Sequence, residues 1–159
     1  MPNTDDLLVA GDRAPEFELP DANGRPTGLR EFAGTRLIVY FYPAAMTPGC
    51  TSEARDFGDA GPHLAAADVR VVGISRDPQE KLAEFAAREG ITFPLLSDVD
   101  RAVHRRYGVL GTKVVDGAHV EKVRRSTFVI GPDGRIERAM YDVNVDGHAE
   151  EVVLGLKSG

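Results

Sequence analysis

The chain has 159 residues, with 19 Lys and Arg against 25 Asp and Glu, which gives a formal net charge of −6. This length predicts one domain over residues 1–159, and the acidic balance argues against nucleic acid or an anionic membrane as a partner, since both bind clustered positive charge. Hydrophobic residues make up 42% and charged residues 28% of the chain, which excludes compositional disorder.

The apolar segments and the acidic amino-terminal stretch bear on location. The longest strongly apolar run, Leu37–Tyr42, has six residues, far below the roughly 20 that a membrane-spanning helix needs. Asp5 and Asp6 stand where a secretory signal peptide carries Lys or Arg. We therefore expect a cytoplasmic protein with no membrane partner.

The first third of the chain predicts a short strand, a turn and a buried strand. Phe17–Leu19 is the short strand, and Asp21–Pro26 is rich in turn-forming residues. Leu37–Tyr42 is β-branched and aromatic without polar alternation, which is typical of a strand buried on both faces. Pro43 ends this strand.

The second third begins with a helix from near Pro48 toward His63, with a distortion predicted at Pro62. A second buried strand, Val69–Ser75, follows.

Asp77 is predicted to cap the next helix, with Pro78 at its first position, and Gly90 is predicted to end it. The remaining predicted elements are a strand end at Phe93–Ser97, a short helix at Asp100–Tyr107, a loop at Gly111–Lys122, a hairpin of Ser126–Ile130 and Ile136–Tyr141, and a terminal amphipathic helix marked by Ala149, Val152, Val153 and Leu156. This order predicts an α/β protein with a thioredoxin-like fold, in which helices cover both faces of a central mixed sheet.

Cys50 is the one cysteine of the sequence, which excludes an internal disulfide and a zinc site built from several thiolates. If Thr47 is the N-cap of the helix, Pro48 is its first residue and Cys50 falls at position N3. Unpaired backbone N–H groups and the helix dipole in that turn favour a thiolate. Gly49 is expected to leave the sulfur uncrowded.

Two interpretations of this thiol compete. A lone cysteine is most often a small buried apolar residue. A cysteine at a helix start is instead expected to be accessible and reactive, and to attack a peroxide, an acyl group, a phosphate ester or a disulfide. The residues alone do not choose among these substrates.

The residues around Cys50 belong to a pattern that continues along the chain. Pro43-x-x-x-Thr47-x-x-Cys50 is similar to the peroxiredoxin active-site signature, and its surroundings resemble the peroxiredoxin Q branch, the bacterioferritin comigratory proteins. Further similar segments are Gly11–Phe17, Val72–Ser75, Phe93–Asp98, Tyr107–Val109, Arg125–Phe128 and Gly147–Val152. The resemblance implies a thiol-dependent peroxidase that reduces hydrogen peroxide and organic hydroperoxides without a metal or other cofactor.

The resemblance also implies a role for each site residue. Cys50 is the nucleophile, Pro43 shields its thiolate, and the Thr47 hydroxyl orients the peroxide. Arg125 stabilises the thiolate and the transition state. By its position one turn beyond Cys50, Glu53 is a candidate to orient that arginine, although an acid in the early turns of a helix is usually there for the dipole. Without the resemblance, Thr47 is equally well a helix cap and Arg125 a solvated residue at a strand edge.

One departure from the family changes the expected cycle. Many peroxiredoxin Q members resemble Cys-x4-Cys here, whereas this chain has Arg55 at the second position. A sulfenic acid on Cys50 therefore requires an external thiol, such as thioredoxin, glutaredoxin or a low-molecular-weight thiol. The segment Gly111–Lys122 also departs from the family pattern.

Two other functions remain open at this point. A non-catalytic interaction module with a thioredoxin fold is the main alternative, because loss of a resolving thiol can accompany loss of activity. A cysteine phosphatase uses a Cys-x5-Arg loop, and Arg55 lies one position too early for that pattern.

Overall fold

The structure is a computed structural model, and it describes residues 7–145, 147–149, 151 and 152. Within these residues the strands are β1 (Glu18–Pro20), β2 (Pro26–Gly28), β3 (Arg36–Phe41), β4 (Val69–Ser75), β5 (Leu95–Ser97), β6 (Leu110–Val115), β7 (Ala118–Val123), β8 (Ser126–Ile130) and β9 (Ile136–Met140). The helices are α1 (Pro48–Asp59), α2 (Gly61–Ala66), α3 (Gln79–Glu89), α4 (Ala102–Arg106) and a 3-10 helix at Leu29–Phe32. None of the helices in the described segments is long and apolar enough to cross a bilayer.

The central sheet has five strands in the order β5-β4-β3-β8-β9. Strands β3, β4 and β5 are parallel, whereas β8 pairs antiparallel with both β3 and β9. One hydrophobic cluster lies on the face covered by α4, and a second lies on the face covered by α1 and α3. The predicted α/β architecture, a mixed sheet with helices on both faces, is confirmed.

Strand β3 lies at the centre of the sheet, and its side chains divide between the two clusters. Val39 and Phe41 point to the cluster beside α4. Ile38 and Tyr40 point to the cluster beside α1, because successive side chains of a strand face opposite sides. Burial on both faces explains the absence of polar alternation in Leu37–Tyr42.

The segment Gly111–Lys122, predicted to be a loop, is a β-hairpin in which β6 and β7 pair antiparallel. Asp116 and Gly117 form its turn with φ angles of 52° and 80°, the left-handed region that a tight hairpin turn requires. Residues 112–120 are all exposed, so neither face carries the apolar row that gives a strand its period of two. The feature of the sequence that indicates a hairpin here is the Asp116-Gly117 pair.

Helix α3 shows that the predicted Asp77 cap is wrong. Pro78 occupies the N-cap position, and no side chain caps the helix. The buried Asp77 carboxylate instead accepts a hydrogen bond from the N–H of Ala45, 2.7 Å away. The Asp77 side chain, which the local sequence pattern predicts to cap the helix, is therefore used in a tertiary hydrogen bond instead. Gly90 follows the last helical residue with φ of 65°, as predicted.

The helix predicted from Pro48 toward His63 is present but interrupted. It ends as α1 at Asp59 and resumes as α2 after Ala60, with Pro62 in the first turn of α2. Proline fits that turn because its missing N–H would have no helical partner there.

The predicted terminal helix is described in part. Residues 148, 149, 151 and 152 are helical, and Ala149 and Val152 are buried in the cluster beside α1. Val153 and Leu156, the other two positions of the predicted stripe, lie outside the described residues.

Candidate active site

Cys50 lies where the carboxyl end of β3 passes into α1. The N-cap position is Thr47, which places Cys50 at N3 as predicted. The Thr47 carbonyl accepts a hydrogen bond from the N–H of Thr51 at 2.8 Å, which closes the first helical turn. Cys50 is only 1% exposed, so the expectation of an accessible thiol is wrong for this conformation. The side chain points toward the sheet, where a guanidinium covers it.

That guanidinium belongs to Arg125, which immediately precedes β8. Its Nη2 donates to Cys50 Sγ at 3.2 Å, and its Nη1 donates to Glu53 Oε1 at 2.6 Å. The neighbouring Arg124 turns to the opposite side and pairs with Asp142, because consecutive side chains of an extended segment point to opposite faces. One guanidinium therefore bridges the thiol and a carboxylate.

Glu53 lies one turn after Cys50, and its side chain is 1% exposed. Its Oε2 has no hydrogen-bond partner within the described part of the chain. Burial raises the pKa of Glu53 from 4.5 to about 7, against the opposing attraction of Arg125. The carboxyl group therefore changes its charge close to neutral pH.

Arg125 keeps its positive charge in this setting. Burial lowers the pKa of Arg125, but Glu53 and Cys50 act in the other direction, and the net pKa is raised. A fixed cation beside the sulfur stabilises an anion there, and it stabilises negative charge that develops on a neighbouring oxygen.

Thr47 and Pro43 belong to the loop between β3 and α1. Thr47 is exposed, and its hydroxyl donates to the Ala44 carbonyl at 2.9 Å rather than capping the helix. Because its hydrogen is used in this way, the Thr47 oxygen is left as an acceptor. Pro43 is half-buried at the start of the loop.

Gly49 makes room for the side chain of Arg125. A Cβ atom at position 49 would lie 3.2 Å from Arg125 Nη2, closer than ordinary van der Waals contact. The absence of a side chain at position 49 lets the guanidinium pass over the first turn of α1 to reach Cys50.

We expect Gly49→Ala to slow peroxide reduction by roughly tenfold, because a displaced guanidinium no longer fits the reacting atoms. Gly58→Ala is the matched control, since it lies on the same helix and a Cβ there would meet nothing within 4 Å. The second-order rate constant for peroxide should fall in the first variant and stay at the wild-type value in the second. Equal rate constants in all three proteins would contradict this role of Gly49.

Glu53 should give the folded state a pH dependence in the acid range. Because burial raises its pKa from 4.5 to about 7, the native state binds this proton more tightly than the unfolded chain does. The contribution of protonated Glu53 to the free energy of unfolding is complete below about pH 4.5, and it is lost as the pH rises through about 7. The free energy of unfolding of the wild type should therefore fall relative to that of Glu53→Gln across this window, measured by chemical denaturation. Parallel curves would show that Glu53 does not titrate there.

Two contacts of the loop before α1 were missed in the sequence. Ala45 N–H donates to Asp77, and Arg88 Nη1 donates to Met46 Sδ at 3.3 Å. The sequence pattern around Asp77 predicts a helix cap rather than this contact, and no pattern in the sequence indicates the contact of Arg88. Both contacts join residues that are distant in sequence.

Two buried histidines each make a side-chain contact. His104 Nδ1 lies 2.6 Å from Asp98 Oδ2, and His148 Nε2 lies 2.7 Å from Thr127 Oγ1. No group of three or more His, Cys, Asp or Glu in the described ranges is arranged to hold a metal ion.

The chain is similar to known proteins over most of its length. The model of the AhpC/TSA family matches residues 10–139. A putative peroxiredoxin of Mycobacterium tuberculosis strain H37Rv is 50% identical over 145 residues, which cover 91% of this chain and 92% of that protein. Peroxiredoxin Bcp of Escherichia coli K12 is 45% identical over 150 residues, which cover 94% and 96%.

A solved structure shows the same fold. The Xanthomonas campestris bacterioferritin comigratory protein, described for its alkyl peroxide reduction activity, superposes with a TM-score of 0.86 at 39% identity, covering 89% of this chain and 90% of that one. The thioredoxin-like fold is thereby confirmed. On the family match and these identities, the chain belongs to the AhpC/TSA family, and within it to the peroxiredoxins of the Bcp and peroxiredoxin Q branch.

Proposed function

We propose that this protein is a thiol-dependent peroxidase whose nucleophile is the Cys50 thiolate. The observation that carries the proposal is the contact between Arg125 Nη2 and Cys50 Sγ at the start of α1. This contact adds a cation to the N–H groups of the first helical turn, and both stabilise a thiolate. Membership of the peroxiredoxins supports the same activity.

In the proposed reaction, the thiolate attacks the nearer oxygen of the hydroperoxide. The S–O bond forms as the O–O bond breaks, so the sulfur is oxidised to a sulfenic acid and the peroxide is reduced. The departing oxygen leaves as an alkoxide or hydroxide and takes up a proton to become an alcohol or water. Negative charge thus moves from sulfur to oxygen, and Arg125 stabilises it at both ends of the transfer.

The loop before α1 supplies the other two groups. Thr47 Oγ already donates its hydrogen to the Ala44 carbonyl, so it can accept a hydrogen bond from the O–H of a peroxide and orient it. Pro43 has no backbone N–H and shields the thiolate from water. Pro43 and Thr47 are proposed as positioning groups around Cys50.

We infer that the substrates include alkyl hydroperoxides as well as hydrogen peroxide. The support is the Xanthomonas campestris relative, which is described for alkyl peroxide reduction and shares this fold at 39% identity. The Cys50 site itself requires only the O–O bond and one O–H group of the substrate.

The cycle is proposed to use one cysteine of the enzyme and an external thiol. The chain has a single cysteine, so a reductant thiol attacks the sulfenic acid, releases water and forms a mixed disulfide, which a second thiol then reduces. Thioredoxin, glutaredoxin and low-molecular-weight thiols fit this role. Arg55 offers no thiol, and its side chain is 66% exposed with Glu89 3.8 Å away.

Access for that thiol requires the first turn of α1 to open, because Cys50 is 1% exposed. This turn has no side-chain cap and no acidic residue, so neither a capping hydrogen bond nor a favourable charge at the helix start opposes its opening. Gly49, in the same turn, lowers its helical stability further.

Intact mass spectrometry after one equivalent of cumene hydroperoxide tests the proposal. We expect a mass gain of one oxygen on Cys50, reversed by dithiothreitol, and no internal disulfide. A protein that keeps its original mass while the peroxide remains unconsumed would contradict the peroxidase proposal and favour a non-catalytic interaction module.

A further inference from the structure

The carboxylate of Asp77 lies where β4 ends, beside the loop that leads into α1. Its Oδ2 accepts hydrogen bonds from the N–H of Ala45 at 2.7 Å and from Ser75 Oγ at 2.9 Å. The residue is only 9% exposed. A hydrogen bond to a carboxylate is roughly twice as strong as one between neutral groups, so Asp77 fastens the loop to the sheet.

Asp77 is itself held by the ends of two parallel strands. Ser75 and Ser97 are partners at the carboxyl ends of β4 and β5. Ser97 Oγ donates to the Asp77 carbonyl at 2.7 Å, and the Asp77 N–H donates to Ser75 Oγ at 3.2 Å. The anchor is therefore hydrogen-bonded to the ends of two sheet strands and does not belong to the loop it holds.

The anchored loop has a conformation that needs support. Met46 follows the anchored Ala45 and has a φ of 66°, in the left-handed region that is unfavourable for a residue with a Cβ atom. Such a conformation persists where the surrounding structure holds it. Thr47 follows Met46 directly and Cys50 lies in the first turn of the helix that begins next, so their placement depends on the anchor.

We infer that Asp77 is a positioning residue for peroxide reduction. Through the N–H of Ala45 it holds the loop in the conformation that presents Pro43 and Thr47 to a peroxide beside Cys50. This inference rests on the proposed function. Helix capping does not account for Asp77, because α3 has no side-chain cap. Without the anchor the loop populates other conformations, and the reactive arrangement is present for a smaller fraction of the time.

The proposed cycle has two half-reactions, oxidation of Cys50 by the peroxide and reduction of the sulfenic acid by a thiol. Comparing their rate constants distinguishes a positioning role of Asp77 from a general loss of structure. Holding the loop matters for attack on the peroxide, where atoms must be aligned. It does not matter for attack of a small thiol on the sulfenic acid, which requires the same region to open. Loss of folded protein would instead lower the amplitude of both reactions and leave their rate constants unchanged.

The test measures both half-reactions in single turnovers of the full chain, with excess cumene hydroperoxide for oxidation and excess dithiothreitol for reduction. For Asp77→Ala we expect the oxidation rate constant to fall by roughly tenfold to a hundredfold, while the reduction rate constant is unchanged or higher. Asp77→Asn keeps one neutral acceptor, and we expect a fall of at least about threefold. Lys81→Met removes the 3.5 Å contact of Lys81 with Oδ1 but leaves the bond to Ala45, so it should match the wild type.

Oxidation of Asp77→Asn at the wild-type rate would overturn the inference, and this variant decides the test if Asp77→Ala does not fold. Equal slowing of both half-reactions would also overturn it, because it would show that Asp77 has no particular effect on the attack on the peroxide. A wild-type protein that does not consume the hydroperoxide would instead overturn the proposed function, and this inference with it. Fluorescence-detected unfolding of each variant checks that amplitudes are compared on folded protein.

Discussion

Replacing Cys50 with serine is expected to abolish peroxide reduction, with a fall in the rate constant of at least about a thousandfold. A serine hydroxyl is not ionised near neutral pH, and it is a poor nucleophile without a base to activate it. Arg125 is a cation and does not act as that base. Because the chain has no second cysteine, no other thiol replaces the lost one. The measurement is peroxide consumption with excess dithiothreitol.

The serine variant is also expected to keep the structure of the wild type. Cys50 is buried among apolar side chains and is contacted by Arg125 Nη2, and a serine oxygen accepts the same hydrogen bond in a slightly smaller volume. Its unfolding curve should therefore stay close to that of the wild type. Substantial turnover by folded Cys50→Ser would exclude Cys50 as the nucleophile.

Replacing Arg125 with methionine is expected to slow peroxide reduction by about a hundredfold, the usual effect of removing one fixed donor from a site of developing negative charge. Methionine has a long unbranched side chain, so it fills much of the same space without the charge. Two effects combine in the loss: the Cys50 thiolate is less stabilised, and the departing oxygen loses its cationic partner. The second-order rate constant for cumene hydroperoxide measures the sum of both effects.

Loss of the guanidinium should also change Glu53. Arg125 lowers the pKa of Glu53 against the effect of burial, so its removal should raise this pKa further and leave Glu53 protonated at neutral pH. Protonation avoids a buried unpaired charge and limits the cost to stability. The pH window over which the free energy of unfolding falls should therefore lie higher for Arg125→Met than for the wild type, as measured by chemical denaturation.

Arg124→Met is the matched control for this experiment. The two arginines are adjacent, but Arg124 pairs with Asp142 and lies over the ring of Tyr141, on the side away from Cys50. We expect its peroxide rate constant to stay at the wild-type value while its stability falls slightly. Equal rate constants for Arg125→Met and the wild type would remove Arg125 from the site.

The parts of the fold that the sequence predicted are those that depend on neighbours in the chain. The apolar run Leu37–Tyr42 is enough to indicate a strand buried on two faces, because its period shows directly which sides face water. Thr47, Pro48 and the following residues indicate a helix start, and Cys50 at N3 follows by counting along the backbone. The hairpin at Gly111–Lys122 was missed because its exposed strands have no apolar face, although its Asp-Gly turn was visible.

The sequence by itself determined the chain order of the central-sheet strands and main helices, the place of Cys50 in its helix and the family resemblance, all of which lie in short segments and their spacing. Only the tertiary structure decided which side chains meet. Arg125 reaches Cys50 across 75 positions of the chain, and Asp77 reaches Ala45 across 32. These contacts depend on the order of strands in the sheet, and no local pattern encodes that order. Three features follow from the strand order: the Cys50 sulfur is buried, Gly49 leaves space for Arg125, and Asp77 anchors a loop rather than capping a helix. They prevail because the free energy of a buried contact exceeds the weaker local preferences that compete with it.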